Sequence, residues 1–382
     1  MPSNPFVYGE IVPAQSFVDR EMELHRLVTD LADGQKVFLI SPRRYGKSSL
    51  VRQAFATLAR RKVLTLEFTV SSFSSYVAFL EGYAQALLGL ETRVGRARSW
   101  LREVFSSATP EVRVEAGTTG GGLSVAFPSV RTERDAARLA EDVFALPARL
   151  ADRLDKRLAI ALDEFQAVAS FDVANVEAAL RAAVQQQRQV GYVFAGSEPS
   201  LMEQMVGPRR PFYKAGPVMR LERIPGDVFA AFVEDRFASS GLAPVEGLGA
   251  AVVDLAGNLP YDVQRLAHET WDDAATRRQK RVGLEDLHET LRRLLAEQAP
   301  LFEAVWQRLT LAQRATFRAV VLEHGVELLS AASRTRHRLG GASSVQASLA
   351  ALQRQDLVAR EDDGRYVVVD SLMREWVARE TY

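Results

Sequence analysis

Ile40-Ser41-Pro42-Arg43-Arg44-Tyr45-Gly46-Lys47-Ser48-Ser49 follows directly on the apolar run 37–40. A short apolar strand breaking into a turn with glycine, lysine and two hydroxyls is the pattern of a loop built around a polyphosphate. Backbone N–H groups turn toward the phosphates, the lysine ammonium reaches the terminal ones, and the next hydroxyl holds Mg²⁺. Ser41 stands where the usual pattern has its first glycine, so a plain surface turn fits the stretch as well. Composition argues against that turn. Only 6 of the 48 Lys and Arg residues are lysines: Lys36, Lys47, Lys62, Lys156, Lys214 and Lys280. A lysine at the one place where a compact point charge is preferred over a guanidinium fork is therefore informative. The stretch predicts a bound nucleotide held by Pro42, Arg43, Arg44, Tyr45, Gly46, Lys47, Ser48 and Ser49.

Working outward, 382 residues are too many for one ordinary domain, and two or three are expected. Hydrophobic content of 47% with 25% charged residues is that of a globular chain. No apolar run approaches bilayer length, and residues 1–10 lack a charged-then-apolar leader, so no membrane role and a cytoplasmic location are expected. The absence of cysteine excludes disulfides and thiol-based metal sites or nucleophiles. His25, His268, His288, His324 and His337 show no ligand spacing. Net charge is zero, so any nucleic-acid contact has to come from a local patch.

Apolar runs suited to buried parallel strands lie at 37–40, 63–68, 158–162, 192–195 and 218–221, with helical patterns at 48–60, 76–90, 136–154 and 176–187 between them. This alternation predicts a three-layer α/β domain with a mostly parallel sheet, its ligand beyond the carboxyl ends of the strands. Within it, Val112, Val114 and Ala116 alternate with polar residues, and Leu123, Val125 and Phe127 do so again after a glycine-rich stretch. That is a β-hairpin inserted at about 111–128, fitting either a cover for the sheet edge or a contact element for DNA or a partner. Residues 225–296 carry at least four helical patterns and no clear strand, which predicts a helical subdomain over 225–298. Beyond it, helical patterns at 311–324, 330–339 and 343–355, followed by a hairpin over 357–369, make 299–382 a winged helix.

Leu158-Ala159-Ile160-Ala161-Leu162 runs straight into Asp163-Glu164-Phe165-Gln166. Two carboxylates at a strand end suit Mg²⁺-dependent phosphoryl chemistry. Asp163 would hold the metal with Ser48, and Glu164 would polarise the attacking water. An acidic helix start after a buried strand is the plain alternative. Tyr192-Val193-Phe194-Ala195-Gly196-Ser197 places a further hydroxyl at a strand end, where it would sense the γ-phosphate or cap a helix.

Phe17-Val18-Asp19-Arg20-Glu21-x-Glu23-Leu24, the Pro42-Arg43-Arg44-x-Gly46-Lys47-Ser48 loop, Asp163-Glu164-Phe165-Gln166 and Ala195-Gly196-Ser197 together resemble the archaeal-type ATPase family. That family lies in the signal-transducing branch of P-loop NTPases, near the AAA+ origin-recognition-like initiators. The resemblance extends from about residue 4 to about residue 275, and the winged helix after it is similar to the family's usual arrangement. It implies a P-loop NTPase core over 1–224 and a helical lid, and ATP as the nucleotide. It also implies an adenine pocket lined by Val18, Asp19 and Arg20, and a lid motif Gly257-Asn258-Leu259-Pro260, for which a turn before a proline-started helix is the alternative. A basic residue acting on a neighbouring copy is implied among Arg209, Arg210 and Lys214. Arg210 has the best chemistry for the role, and a solvated basic loop is the other reading.

The stretch 329–355 contains Arg334, Arg336, Arg338 and Arg354 and no acidic residue. Val345, Leu349 and Leu352 mark the apolar stripe of the third helix, leaving Ser343, Ser344, Gln346 and Ser348 on its other face. Duplex DNA met by that helix and those arginines is one expectation, and a protein partner is the other. The whole reads as an ATP-binding and ATP-hydrolysing switch that self-associates or engages DNA. A signalling or defence regulator whose winged helix docks a protein, and a ring-forming DNA-remodelling ATPase, are the alternatives.

Overall fold

The computed structural model describes residues 3–9, 18–90, 105, 110–115, 122–171, 173, 175–361 and 363–380. They divide into two compact units. Arg20–Glu222 forms one; the described residues of Met1–Asp19 group with Arg223–Tyr382 in the other.

The first unit opens with helix α1 (Glu21–Ala32), which carries Glu21 and Glu23 in its first turn and buries Leu27, Val28 and Leu31. Five parallel strands follow: β1 (Lys36–Ile40), β2 (Leu64–Thr69), β5 (Leu158–Asp163), β6 (Val190–Gly196) and β7 (Val218–Arg220). They lie in the order β2-β5-β6-β1-β7. β6 is buried at every position, and β5 at all but its last, as continuous apolar runs in a sheet covered on both faces should be. Helices α2 (Lys47–Arg60), α3 (Tyr76–Leu88), α4 (Glu133–Leu154), α5 (Val176–Gln186) and α6 (Pro199–Val206) fill the intervals, giving the expected three-layer α/β arrangement. A capping box starts α4, with Thr132 accepting from the Asp135 amide and the Asp135 carboxylate accepting from the Thr132 amide.

The register decides where the chemistry falls. Ile40 is paired with Gly196, and Leu162 with Phe194. The ends of β1, β5 and β6 therefore lie at nearly one level on three adjacent strands. Beneath them Phe38 stacks on Phe194 at 4.9 Å, and Phe165 meets Phe194 at 4.6 Å and Phe212 at 5.3 Å.

The inserted hairpin is present as β3 (Glu111–Glu115) and β4 (Gly122–Ala126), paired antiparallel, while residues 116–121 at its tip lie outside the described set. It does not join the five-stranded sheet. Instead the Phe127 amide donates to Glu81 of α3 at 2.8 Å, and Val125 and Phe127 enter the core beside Phe105. Its anchor is helix α3.

In the second unit, helices α7 (Gly226–Ser239), α8 (Leu248–Leu255), α9 (Pro260–Thr276) and α10 (Leu284–Arg308) account for the four helical patterns. A two-residue parallel pair, β8 (Ala243–Pro244) with β9 (Arg281–Val282), interrupts them; it is too short to leave a periodic signature. Helix α10 runs unbroken through position 298. The winged helix follows as α11 (Leu311–Leu322), α12 (Ala331–Arg336), α13 (Ala342–Arg354) and a hairpin of β10 (Val358–Arg360) with β11 (Tyr366–Val368). A last helix, α14 (Ser371–Glu380), was not anticipated. Asp370 caps it by accepting from the Met373 amide, and Leu372, Met373, Trp376 and Val377 are buried.

Residues 3–9 are part of this unit's core. Phe6 is 1% exposed and lies 4.8 Å from Phe237, ring to ring. Around it, Asn4 donates to the His268 carbonyl, Val7 to Gln264, and the Tyr8 hydroxyl to Glu269 at 2.6 Å. Phe6→Ala is expected to destabilise this unit by about 3–5 kcal/mol, the usual cost of emptying a buried aromatic site. Denaturant unfolding of the full chain checks it.

Candidate functional site

The loop from Ser41 to Lys47 leaves β1 at its carboxyl end. Ser41 is 1% exposed, and its amide continues the ladder by donating to the Gly196 carbonyl at 3.3 Å. The left-handed positions of the loop are Arg44 (φ 69°) and Gly46 (φ 89°), and Ser41 is not among them. A serine thus replaces the first glycine without backbone strain, whereas Gly46 meets a real conformational demand. Helix α2 starts at Lys47 with no side-chain cap and no acidic residue in its first turn. Its first N–H groups and the positive end of its dipole are left for an anion.

Lys47 is buried, with its side chain 8% exposed, and its Nζ lies 3.4 Å from Asp163 Oδ1 and 3.6 Å from Glu164 Oε1. Neither Lys47 Nζ nor Asp163 Oδ1 makes a hydrogen bond, although both atoms are buried. An ammonium and a carboxylate brought close and left unbonded are groups awaiting other partners. They suit a polyphosphate with Mg²⁺. Ser48 is exposed in the first turn of α2 and Ser49 is half-buried beside it, so a hydroxyl and the Asp163 carboxylate are available to an ion. Among the described residues no group of three or more His, Cys, Asp and Glu side chains gathers to hold a metal.

Glu164 follows β5 in a left-handed conformation (φ 51°), an uncommon state for a non-glycine residue that tends to mark functional positions. Its Oε2 accepts from the Ser197 hydroxyl at 2.6 Å and from Gln166 Nε2 at 2.5 Å. Burial pushes its pKa up, but those two donors with Lys47 and Arg43 outweigh burial and hold the carboxyl below its ordinary value. Glu164 is therefore ionised at neutral pH. The stability it adds is present above the unfolded carboxyl pKa and is lost as pH falls through the lower folded value.

Arg20 is buried, and its guanidinium bonds Glu23 at 2.8 Å and the Glu222 carbonyl. In the other unit, Val18 packs against the hydrophobic core and Asp19 is exposed at φ 46°. Pro260 occupies the first turn of α9, after Gly257 (φ 62°) and Asn258 (φ 55°). The geometry there is that of a turn before a proline-started helix. Arg223 clamps it through the Gly257 carbonyl, and Arg374 bonds the Asp254 and Leu255 carbonyls.

Arg210 forms an ion pair with Glu177 of its own chain. Burial raises the pKa of Glu177, and Arg210 opposes that rise. Lys214 lies over the Tyr213 ring at 5.3 Å, and Arg209 is left-handed at φ 68°.

On the winged helix, Ser343, Ser344 and Gln346 are exposed at the start of α13, and Val345, Leu349 and Leu352 are buried as the pattern demanded. Ser348 is 6% exposed, so it belongs to the buried face and not to the polar one. The arginine patch is also weaker than its stretch suggests. Glu323, just outside that stretch, accepts from Arg336 at 2.7 Å and lies 2.7 Å from His337 Nε2. Arg334 donates to the Leu329 carbonyl, and Arg338 is exposed at φ 51°.

Residues 300–379 match the family model described as "probable winged helix domain". No curated protein matches the chain in sequence. Among solved structures, the Walker-type ATPase PABY2304 of Pyrococcus abyssi is similar at 16% identity and TM-score 0.62, over 98% of this chain and 99% of that one. The fold is that of a Walker-type ATPase with a winged helix. The ORC1 protein of Aeropyrum pernix, solved in complex with DNA, is similar at 14% identity and TM-score 0.54, over 98% and 95% of the two chains. The ORC2 protein of the same organism, solved as ADPNP–ADP complexes, is similar at 13% identity and TM-score 0.53, over 98% and 96%. The fold expected from the sequence is thus the one observed, down to the origin-recognition-like neighbours of the Walker-type core.

Sequence reasoning passed over Gln166, quoted in its motif but given no role. It is 6% exposed and touches Glu164. A polar residue two places after the strand-end carboxylates was the available signal.

Proposed function

We propose that this chain is an ATP-binding and ATP-hydrolysing molecular switch that engages DNA through its winged helix. The observation that carries the reading is the buried, unbonded Lys47 ammonium poised between Asp163 and Glu164 at the start of an uncapped helix. Lys47, the loop amides and Gly46 bind the β- and γ-phosphates; Ser48 and Asp163 hold Mg²⁺. The metal supplies charge neutralisation on the transferring phosphoryl group. Glu164, kept ionised by its donors, takes a proton from the attacking water, and Ser197 links that carboxylate to the end of β6. Arg210 serves a neighbouring copy only after leaving Glu177, so in this reading assembly and finger release are coupled. Among the described residues no helix is long and apolar enough to cross a membrane.

A second reading has the winged helix dock a protein. The Glu323 contacts of Arg336 and His337 favour it, because they reduce the free positive charge of the patch.

ATP turnover with and without duplex and single-stranded DNA, across a salt series, tests the first reading. Hydrolysis stimulated by DNA and fading with salt supports it; indifference to DNA moves the winged helix to a protein partner. Reversal of Arg334, Arg336 and Arg338 to Glu is expected to remove DNA binding and leave basal ATPase activity intact. If all three meet phosphates, wild-type affinity falls about 40-fold between 50 and 200 mM salt. Unchanged DNA binding in the triple variant sinks the DNA reading.

A further inference from the structure

We propose that Gln166 is a positioning residue for hydrolysis, one that fixes the Glu164 carboxylate from a seat opened by glycine at position 196. The inference rests on the ATPase reading above and adds a residue and a mechanism to it.

Gln166 lies in the 3₁₀ turn Phe165–Ser170 that follows β5, and is 6% exposed. Its Nε2 donates to Glu164 Oε2 at 2.5 Å and lies 3.4 Å from Glu198 Oε1. The Ser197 hydroxyl donates to the same Oε2 at 2.6 Å. Both donors thus converge on one oxygen of the carboxylate. The other oxygen, Oε1, is left on the side of Lys47, 3.6 Å from its Nζ. A free glutamate side chain samples many rotamers; one pinned at Oε2 presents Oε1 in one direction.

The amide orientation is dictated by charge. Turning the Gln166 amide over would set its carbonyl oxygen against an ionised carboxylate, an acceptor facing an acceptor. As placed, the amide leaves its own Oε1 buried with no hydrogen bond. A methionine of similar size would avoid that loss, so a purely structural seat gains nothing from glutamine here. The retained group is the NH₂ that Glu164 uses.

Gly196 is the second observation. A Cβ built there would lie 2.7 Å from Gln166 Oε1 and 2.3 and 2.4 Å from Met202 Cγ and Sδ. A side chain at 196 would crowd Met202 first and the Gln166 amide next, so glycine keeps this seat open. The strand ending in Ser197 therefore supplies one donor to Glu164 and, through its glycine, the room for the other.

The test compares the full-length wild type with Gln166→Met and Gly196→Ala, reading kcat and KM for ATP at neutral pH, with affinity for a fluorescent ATP analogue measured separately. Gln166→Met removes the donor and keeps the bulk. Its kcat is expected to fall about tenfold, with KM and analogue affinity within about twofold, a split that a merely structural role would not give. Gly196→Ala crowds Met202 and the Gln166 amide instead of deleting the donor, so a smaller fall in kcat with KM again unchanged is expected; it carries the test alone if Gln166→Met fails to fold. Wild-type kcat in both variants overturns the proposal, as does a fall in kcat matched by a loss of analogue affinity. Failure of the ATPase reading looks different: the wild type itself then shows no turnover, and both inferences go.

Discussion

Replacing Lys47 by alanine is expected to remove most of the affinity for nucleotide. Among the described residues the side chain is the one buried ammonium in a ring of strand ends that otherwise offers the carboxylates Asp163 and Glu164. Without it a polyphosphate meets two like charges with only loop amides and surface arginines in compensation. Charge-assisted hydrogen bonds contribute about 1.5–3 kcal/mol each, so losing two of them weakens affinity at least about a hundredfold. Lys47→Arg is expected to bind poorly too, since a planar fork needs more room than a point charge wedged 3.4 Å from Asp163 Oδ1. The free protein also reports the change. Lys47 is one of the groups holding the Glu164 pKa down, so its removal raises that pKa and moves the loss of stability on acidification to higher pH. Equilibrium binding of a fluorescent ATP analogue, with acid unfolding followed in parallel, checks both arms. Wild-type affinity in Lys47→Ala would remove the loop from its role.

What the sequence exposed and what it hid follow from the range of the interactions involved. The central strands are buried on both faces, so 158–162 and 192–195 show as unbroken apolar runs, and the residues just after them are marked by position alone. Asp163, Glu164 and Ser197 were legible for that reason, and Lys47 from the loop pattern around it: parallel strands in register deliver their carboxyl ends to one place. Partnerships between distant segments leave no local trace. Phe6 enters a core with Phe237, and nothing in 3–9 announces it. Glu323 lies outside the acid-free stretch yet takes up Arg336, so a charge count along the chain overstated the patch. Ser348 stands among polar neighbours but is carried inward by the turn of α13 beside Leu349. The last helix was a different kind of miss. Its cap Asp370 and its apolar positions 372, 373, 376 and 377 were all visible, but they follow directly on the second wing strand.

Glu164→Gln separates binding from chemistry. The substitution keeps the length of the side chain and its tolerance of the left-handed backbone at φ 51°, and changes only what the group does with a proton. Ser197 and Gln166 both donate to Oε2, so the new amide places its carbonyl oxygen there and its NH₂ on the side of Lys47. The loop, the helix start and Asp163 are untouched, and ATP affinity is expected to stay within about threefold of the wild type. The NH₂ has no lone pair basic enough to accept a proton from water, so turnover falls by about 10²–10⁴, the usual contribution of a positioned general base. The carboxylate's own environment sharpens the expectation. Its depressed pKa makes it a modest base that is fully ionised at pH 7, so wild-type kcat should be flat there and decline only on the acid side. In Glu164→Gln that acid limb disappears along with the rate, because the group that titrated is gone. Single-turnover hydrolysis of labelled ATP beside equilibrium binding distinguishes the outcomes. Wild-type turnover in the variant passes the base to another group, whereas loss of ATP binding assigns Glu164 to holding nucleotide.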